Sequence, residues 1–207
     1  MKITSIRLVA LLAVGALLGV IGWRHLFHVR IVNAQPSGSA VIAFGDSLTS
    51  GVGAGPGEDY PSVLSGLAGV QVLNRGVPGE TTAEAARRLE GDVLGVHPRV
   101  VIVCLGGNDI LGRVPEDETF SALERIVTAI QDKGALVVLL GIEGPMFSGA
   151  HGARFRRLSR DKGCVLVPDV LKGILTSPKL KSDQIHPNAA GYRLMAERVH
   201  KALKPYL

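Results

Sequence analysis

Five short, continuous apolar runs, separated by segments long enough for helices, constrain this fold more than any other feature of the sequence. The runs cover residues 41–44, 70–73, 99–105, 135–141 and 164–167. Because they do not alternate between apolar and polar residues, they are typical of strands that are covered on both faces. Parallel strands need crossover connections of helical length. The sequence therefore predicts a three-layer α/β/α sandwich around a five-stranded parallel sheet.

Three of the connecting segments have the periodicity of amphipathic helices. Apolar residues recur three or four positions apart over residues 81–94, 120–130 and 189–203. The chain also has 26 glycines in 207 residues without a repeating period, which indicates tight turns between the elements. This length suits one domain, which we predict to span residues 40–207.

The first 34 residues are predicted to be a targeting segment rather than part of the fold. Lys2 and Arg7 precede an uncharged run over residues 8–23, which as a helix would span about 24 Å. This length lies between that of a signal-peptide core and that of a membrane span. Residues 32–34 resemble a cleavage site, but basic residues and histidines separate them from the apolar run. We expect residues 1–34 to be a signal peptide or, in preference, an uncleaved membrane anchor. Either alternative predicts export to a bacterial periplasm, with tethering to the inner membrane if the segment is retained.

The net charge of +5 comes almost entirely from this N-terminal segment. The segment has four Lys or Arg and no acidic residue, which leaves 19 basic and 18 acidic residues in the remainder. Nucleic-acid binding needs a basic face, and single strands also need stacking aromatics, which are only 4% of this chain. The glycine-rich stretch 51–57 lacks the Gly-Lys-Ser/Thr ending of a phosphate-binding loop. We expect no nucleic-acid partner.

The two cysteines are predicted to be buried free thiols. Cys104 and Cys164 fall in predicted strands with another strand between them, so they would lie too far apart to form a disulfide. No His or Cys spacing is typical of a metal site. We therefore expect neither a metal nor another cofactor.

Four polar blocks are placed where functional residues cluster in open α/β sheets, at the carboxyl ends of strands. GDSL at 45–48, NRGVPGET at 74–81 and GGND at 106–109 follow the first three strands, and DQIHPN at 183–188 comes after the fifth. Each block alone has an ordinary explanation as a turn or a helix cap. Together they contain every part of an acyl-transfer site.

Three residues of these blocks have the chemistry of a nucleophile, a base and an orienting acid. The Ser47 hydroxyl needs a base to become nucleophilic, and His186 is one. Asp183 lies three residues before His186, a spacing at which a turn can place the carboxylate against one ring nitrogen. Pro187 holds His186 out of the helical conformation and separates it from the next helix.

A tetrahedral acyl intermediate also needs hydrogen-bond donors for its oxyanion. The candidates are the N–H groups of Ser47 and Gly79 and the side-chain amide of Asn108. Glycine suits this role because it lets a substrate approach the backbone. No G-x-S-x-G sequence surrounds Ser47, which excludes the nucleophile elbow of the α/β-hydrolases.

The order and type of the four blocks resemble the SGNH hydrolases, also called GDSL esterases and lipases. Three blocks match directly, and the second resembles the glycine block of the family, with Gly79 rather than Gly76 in the place of the oxyanion donor. The resemblance spans residues 40–204 and is greatest to the bacterial multifunctional thioesterase, arylesterase and lysophospholipase group. It implies a flavodoxin-like sandwich, a metal-free serine mechanism and broad ester or thioester substrates.

These observations predict a serine hydrolase that cleaves carboxylic esters or thioesters through an acyl-enzyme, with a small-molecule or lipid ester as substrate. Ile110, Leu111, Met146 and Phe147 are candidates for acyl binding, or equally for packing against the body of the domain. One alternative is a carbohydrate O-acetylesterase or acyltransferase with the same site. Another is an inactive, membrane-tethered binding module, against which the completeness of all four blocks argues. A monomer is compatible with the sequence, which does not fix the oligomeric state.

Overall fold

The five apolar runs are strands of one sheet. A computed structural model describes residues 30–143 and 149–207. All neighbouring strands in the sheet are parallel, and their order is β2-β1-β3-β4-β5. In chain order the elements are β1 (Ala40–Gly45), α1 (Ser47–Ser50), α2 (Tyr60–Ala68), β2 (Val72–Gly76), α3 (Thr82–Asp92), β3 (Pro98–Cys104), α4 (Gly107–Leu111), α5 (Glu116–Asp132), β4 (Leu136–Leu140), α6 (Gly149–Lys162), β5 (Val165–Val167) and α7 (Ala189–Leu203), with short 3₁₀ turns at Leu94–Val96 and Lys204–Tyr206.

Helices cover both faces of this sheet. Helices α2 and α7 pack together, and α5 packs between α3 and α6. From β1 the chain goes to one side, to β2, and then crosses to the other side of β1 to form β3. The carboxyl ends of β1 and β3 therefore lie at a topological switch point, where ligands bind in open α/β sheets. The predicted three-layer α/β/α sandwich with five parallel strands is confirmed.

The centre of the sheet forms the core. Every residue of β4, and those of β3 from Val100 to Cys104, are fully buried. Most are Val, Ile or Leu, and β-branched side chains suit a pleated surface covered on both faces. Each such side chain stabilises the fold by about 1.5–3 kcal/mol relative to exposure. The core thereby gives the carboxyl ends of the strands a rigid base.

The second strand differs from its prediction. The apolar run suggested residues 70–73, but β2 covers Val72–Gly76, so that Asn74 and Arg75 pair with Ala43 and Phe44 of β1. Because β2 is an edge strand with only one neighbour, polar side chains on it remain accessible to solvent or to hydrogen-bond partners. The carboxyl end of β2 therefore cannot be predicted from the point where the apolar residues stop.

The two thiols are buried and free, as predicted. Cys104 ends β3, whereas Cys164 lies one residue before β5 rather than within it. Strand β4 separates β3 from β5. This arrangement agrees with the expectation that a strand stands between the two cysteines.

Contacts with the fold begin before residue 40. The Val32 N–H donates to the Gly163 carbonyl at 2.9 Å. Asn33 Nδ2 donates to the carbonyls of Gln131 (2.9 Å) and Ala135 (3.0 Å), at the amino end of β4. The predicted apolar anchor, residues 8–23, lies outside the described residues. Within the part that the structure describes, no helix is long and apolar enough to cross a membrane.

Candidate active site

The turn after β1 presents Ser47 at the first position of α1. Asp46 caps this helix, since its Oδ1 accepts the Leu48 N–H at 3.0 Å. A Cβ at Gly45 would overlap the Cys104 carbonyl, so only glycine allows β1 to lie this close to the end of β3. The Tyr192 hydroxyl donates to the Val52 carbonyl at 2.7 Å and ties the end of the turn to α7. Ser47 is thus held at the carboxyl edge of the sheet, half-buried.

The loop before α7 holds His186 against Asp183. Asp183 Oδ1 accepts the N–H groups of Ile185 and His186, both at 2.8 Å. Its Oδ2 lies 2.7 Å from His186 Nδ1. Asn188 then caps α7 by accepting the Gly191 N–H at 3.1 Å. The six residues 183–188 therefore form both the turn that orients the imidazole and the start of the next helix.

The hydrogen bonds at Asp183 set its charge state. Partial burial raises the pKa of this carboxyl, but the hydrogen bonds from the His186 ring and from the two backbone N–H groups outweigh it. Its pKa therefore lies below the usual value, and Asp183 is ionised at neutral pH. The Asp183 side chain remains 51% exposed, whereas that of His186 is 14% exposed.

Ser47 and His186 meet although 139 residues separate them. His186 Nε2 lies 3.0 Å from Ser47 Oγ. With Nδ1 held by a carboxylate, the imidazole takes the tautomer in which Nε2 accepts a proton. The structure thus brings together the three predicted residues in the order Ser47, His186, Asp183, with the geometry of general-base activation of a hydroxyl.

Asn108 reaches the same place from β3. Gly106 adopts a left-handed conformation (φ 106°) and turns the chain into α4. Asn108 Nδ2 donates to the Glu80 carbonyl at 3.0 Å and lies 3.4 Å from Asp46 Oδ2. These contacts orient the Asn108 amide beside the turn that contains Ser47.

The remaining predicted donors are two backbone N–H groups. Within the described residues, neither the Ser47 N–H nor the Gly79 N–H has a hydrogen-bond acceptor. Gly79 is exposed and left-handed (φ 80°), and a Cβ there would meet no atom within 4 Å. Both groups are therefore available to a ligand.

A shallow cleft of about 20 Å³ is lined by both Ser47 and His186. Its lining residues are Asp46, Ser47, Leu48, Gly107, Asn108, Leu111, Leu171, Ile185 and His186. The lining includes Ser47, Asn108 and His186 but not Gly79. Four apolar side chains supply the surface on which an acyl group would lie.

The four candidates for acyl binding fall into three groups. Leu111 lines the cleft and is 41% exposed. Ile110 does not line it but packs against the core, because successive residues of a helix point about 100° apart. Met146 and Phe147 lie outside the described residues. Leu171 was not foreseen, since nothing in its local sequence distinguishes it from a core leucine.

Asp46 belongs to the GDSL block, but the sequence indicated no role for its side chain. In the structure its carboxyl is buried. It is 2% exposed. Desolvation is the main reason that its pKa rises to about 7; the charges of Asp109 and Glu80 raise it further, against the lowering effect of the Leu48 N–H. A carboxyl that is partly neutral at pH 7 therefore lies beside Asn108.

Asp109 likewise has a partner that the sequence did not indicate. Its two oxygens accept the Thr82 N–H at 2.9 Å and the Thr82 hydroxyl at 2.6 Å. Both residues are buried. This pair joins the start of α3 to α4, next to Asn108. Within the residues that the structure describes, no cluster of His, Cys, Asp or Glu is arranged to hold a metal ion.

Comparison with known proteins identifies the family of this chain. Residues 43–194 match the GDSL-like lipase/acylhydrolase family. The chain is 26% identical over 188 residues to thioesterase 1/protease 1/lysophospholipase L1 of Escherichia coli K12, covering 87% of this chain and 90% of that protein. It is 28% identical over 186 residues to an arylesterase of Vibrio mimicus, covering 84% and 92%. The crystal structure of TesA superimposes with a TM-score of 0.76 at 27% identity, covering 82% of this chain and all of the other. The predicted resemblance is confirmed: this chain belongs to the GDSL-like lipase/acylhydrolase family and is an ester hydrolase.

Proposed function

We propose that this hydrolase cleaves esters and thioesters through a Ser47-His186-Asp183 triad and a covalent acyl-enzyme. The observation that carries the proposal is the continuous chain of contacts from Ser47 Oγ to His186 Nε2 (3.0 Å) and from His186 Nδ1 to Asp183 Oδ2 (2.7 Å). A serine without such a base is a poor nucleophile at neutral pH.

In the proposed reaction, Ser47 Oγ attacks the acyl carbonyl while His186 Nε2 accepts its proton. The imidazolium then protonates the leaving alcohol or thiol, and the acyl group remains on Ser47. A water molecule, deprotonated by the same nitrogen, releases the acid and restores the serine. Asp183 stays ionised throughout and holds the tautomer and orientation of the ring.

The site has two halves that serve this reaction. We call Asp183 and His186 the base half, and the N–H groups of Ser47 and Gly79 with the Asn108 amide the oxyanion half. The donors of the oxyanion half would stabilise the charge that develops on the carbonyl oxygen. The two unpartnered N–H groups and the position of the Asn108 amide support this assignment.

The substrate class rests on the relatives and on the cleft. Relatives named thioesterase, lysophospholipase and arylesterase support esters and thioesters as substrates. Leu48, Leu111, Leu171 and Ile185 offer such an acyl group an apolar surface.

The small size of the cleft favours a second candidate, an esterase for short acyl groups such as carbohydrate acetyl esters. Its volume of about 20 Å³ is far below the roughly 300–1,000 Å³ of typical ligand pockets. An acetyl group needs no deeper pocket.

Acyl-chain dependence distinguishes the two candidates. The full-length chain would be assayed in detergent with 4-nitrophenyl esters from acetyl to octanoyl, and with acyl-CoAs of the same lengths. A kcat/KM that rises with chain length supports lipid-like esters and thioesters, whereas one that is highest for acetyl supports the second candidate. No turnover of any ester or thioester by the wild type, with Ser47→Ala as blank, would reject the proposed function.

We also propose that residues 1–34 carry an uncleaved anchor that places the catalytic domain in the periplasm. The charged N-terminus and the uncharged run 8–23 support an anchor. The contacts of Val32 and Asn33 with the domain support its retention, because cleavage after Ala34 would remove them. Mass spectrometry of the protein extracted from its own membranes tests this: an intact N-terminus agrees, and a chain beginning at Gln35 contradicts it.

A further inference from the structure

One arginine outside the cleft touches several segments that form the site. Arg88, on α3, donates from Nε to both oxygens of Glu80 at 2.7 and 2.9 Å. Its Nη2 donates to the carbonyls of Gly45 (3.2 Å) and Arg75 (3.1 Å). Its Nη1 donates to Asp92 at 2.7 Å. The guanidinium thereby joins the carboxyl ends of β1 and β2 to the loop that carries Gly79.

The surroundings of Arg88 distinguish this cluster from a surface ion pair. The side chains of Arg88 and Glu80 are only 19% and 8% exposed, and the guanidinium lies 4.4 Å from the centre of the Phe44 ring. Exposed ion pairs contribute little to stability. A buried carboxylate that loses its partner, in contrast, is strongly unfavourable, so Glu80 stays in place only while Arg88 binds it.

The backbone of Glu80 connects this cluster to the oxyanion half. Its carbonyl accepts the Asn108 amide at 3.0 Å, and its neighbour in the chain is Gly79. On the other side, Asp109 holds the N–H and hydroxyl of Thr82. Residues 77–81, which we call the Gly79 loop, therefore lie between two held positions: Arg88 binds the Arg75 carbonyl before the loop and the Glu80 side chain within it, and Asp109 binds Thr82 after it.

We propose that Arg88 is a positioning residue that sets the place of the Gly79 N–H and, through the Glu80 carbonyl, of the Asn108 amide. This inference rests on the proposed function, because it concerns donors that act on the oxyanion. Arg88 does not line the cleft; it contacts the Gly45 carbonyl and the Glu80 side chain. Its effect on the reaction is through geometry alone.

The substitution Arg88→Lys tests the inference while it keeps the charge. A lysine cannot bind Glu80 and the two carbonyls at once, because its ammonium lacks the planar fork of the guanidinium. We expect kcat to fall between about 10- and 100-fold, as for small displacements of catalytic groups, with KM within twofold. Arg87→Lys is the matched control, since Arg87 is exposed and is not among the donors to the site; it should retain wild-type kcat.

Two further measurements make the test decisive. Glu80→Gln should lower kcat to a similar extent, and the double variant should lose less than the product of the two losses, because both changes disrupt one contact. Hydrogen exchange, followed by mass spectrometry of the full-length chain, should be faster over residues 77–82 in Arg88→Lys and unchanged in Arg87→Lys.

The possible outcomes distinguish failure of the positioning role from failure of the proposed function. Arg88→Lys with kcat within twofold of Arg87→Lys, or with unchanged exchange over residues 77–82, overturns the positioning role. A wild-type chain that turns over no ester rejects the proposed function instead, while faster exchange in Arg88→Lys alone would still support the anchoring of the Gly79 loop. If Arg88→Lys does not fold, Glu80→Gln is measured in its place, and the same criteria for kcat and for exchange over residues 77–82 apply.

Discussion

The two halves of the candidate site are built in opposite ways. The base half comes from one turn, in which Asp183 and His186 are three residues apart and contact each other directly. The Asp183 side chain in this turn is 51% exposed. The oxyanion half comes from three strand ends. Its contacts join residues 28 to 62 positions apart in the chain, and its supporting carboxyls, Asp46 and Asp109, are buried.

This difference separates two ways of fixing a functional group. A short turn fixes the imidazole with local hydrogen bonds, so it needs little support from the core. The oxyanion donors depend on the relative positions of whole strands and of the Gly79 loop. Changes in the base half should therefore affect proton transfer and leave stability nearly unchanged, whereas changes in the oxyanion half should affect transition-state stabilisation and stability together.

The largest effect is expected in the base half, from Asp183→Asn. The amide oxygen still accepts the N–H groups of Ile185 and His186, but the amide nitrogen donates to His186 Nδ1 and imposes the wrong tautomer. We expect kcat to fall about 10⁴-fold, as in other triads, with a melting temperature within about 2 °C, a shift typical of a surface substitution.

Steady-state kinetics and thermal unfolding check this prediction. Gln184→Ala, in the same exposed turn, is the control and should keep wild-type kcat. Asp183→Asn with more than a tenth of the wild-type kcat would show that the carboxylate does not orient the base.

A smaller effect is expected in the oxyanion half, from Asn108→Ala. Loss of one oxyanion donor costs about 10²–10³ in kcat, or ~2.7–4 kcal/mol, and KM should change less than kcat. Asn108→Asp should be at least as damaging, because it removes the donor and adds a negative charge facing the oxyanion.

Asn33→Ala is a matched control at the opposite end of the sheet, where the Asn33 amide also donates to backbone carbonyls. It should lower the melting temperature and leave kcat within a few-fold. An Asn108→Asp variant with near-normal kcat would remove Asn108 from the mechanism and leave the oxyanion to Ser47 and Gly79.

The prediction with the smallest effect on the reaction concerns Asp46. Its titration should make the stability of the folded state depend on pH. Its pKa is about 7 in the folded state and 3.8 in the unfolded chain. Between these values the folded state keeps a proton that the unfolded state loses. The contribution of Asp46 to the free energy of unfolding should therefore decrease as pH rises from about 4 to about 7, by an amount on the order of a few kcal/mol, and then level off.

Asp46→Asn should lack this slope, because the amide keeps the acceptor for the Leu48 N–H and does not titrate. Urea unfolding of both proteins between pH 4 and pH 8 measures the difference. Parallel curves for the wild type and the variant would show that Asp46 titrates normally despite its burial.

The same division explains what the sequence could predict. The sheet follows from continuous apolar runs, and the base half follows from the spacing of Asp183 and His186, because both signals are local. One exception in the fold is β2, whose polar residues Asn74 and Arg75 are tolerated at the edge of the sheet.

In the site, Asn108 lines the same cleft as Ser47, whereas Gly79 does not, and the contacts that hold these segments were not foreseen. The partners of Arg88 include Gly45, 43 positions away, and Asp109 binds Thr82 across 27 positions. A single sequence carries no periodicity that would mark such contacts. Leu171 reaches the cleft through the same kind of long-range packing.

Covalent labelling of Ser47 tests the central claim most directly, because it reports on the activated hydroxyl itself. The wild-type chain and Ser47→Ala would be incubated with a fluorophosphonate, and the labelled peptide identified by mass spectrometry. We expect one adduct, on Ser47, in the wild type and none in the folded variant, which should also lose nearly all ester hydrolysis. A wild type that is not labelled at Ser47, or a Ser47→Ala variant that keeps a tenth of the wild-type kcat, would contradict the account.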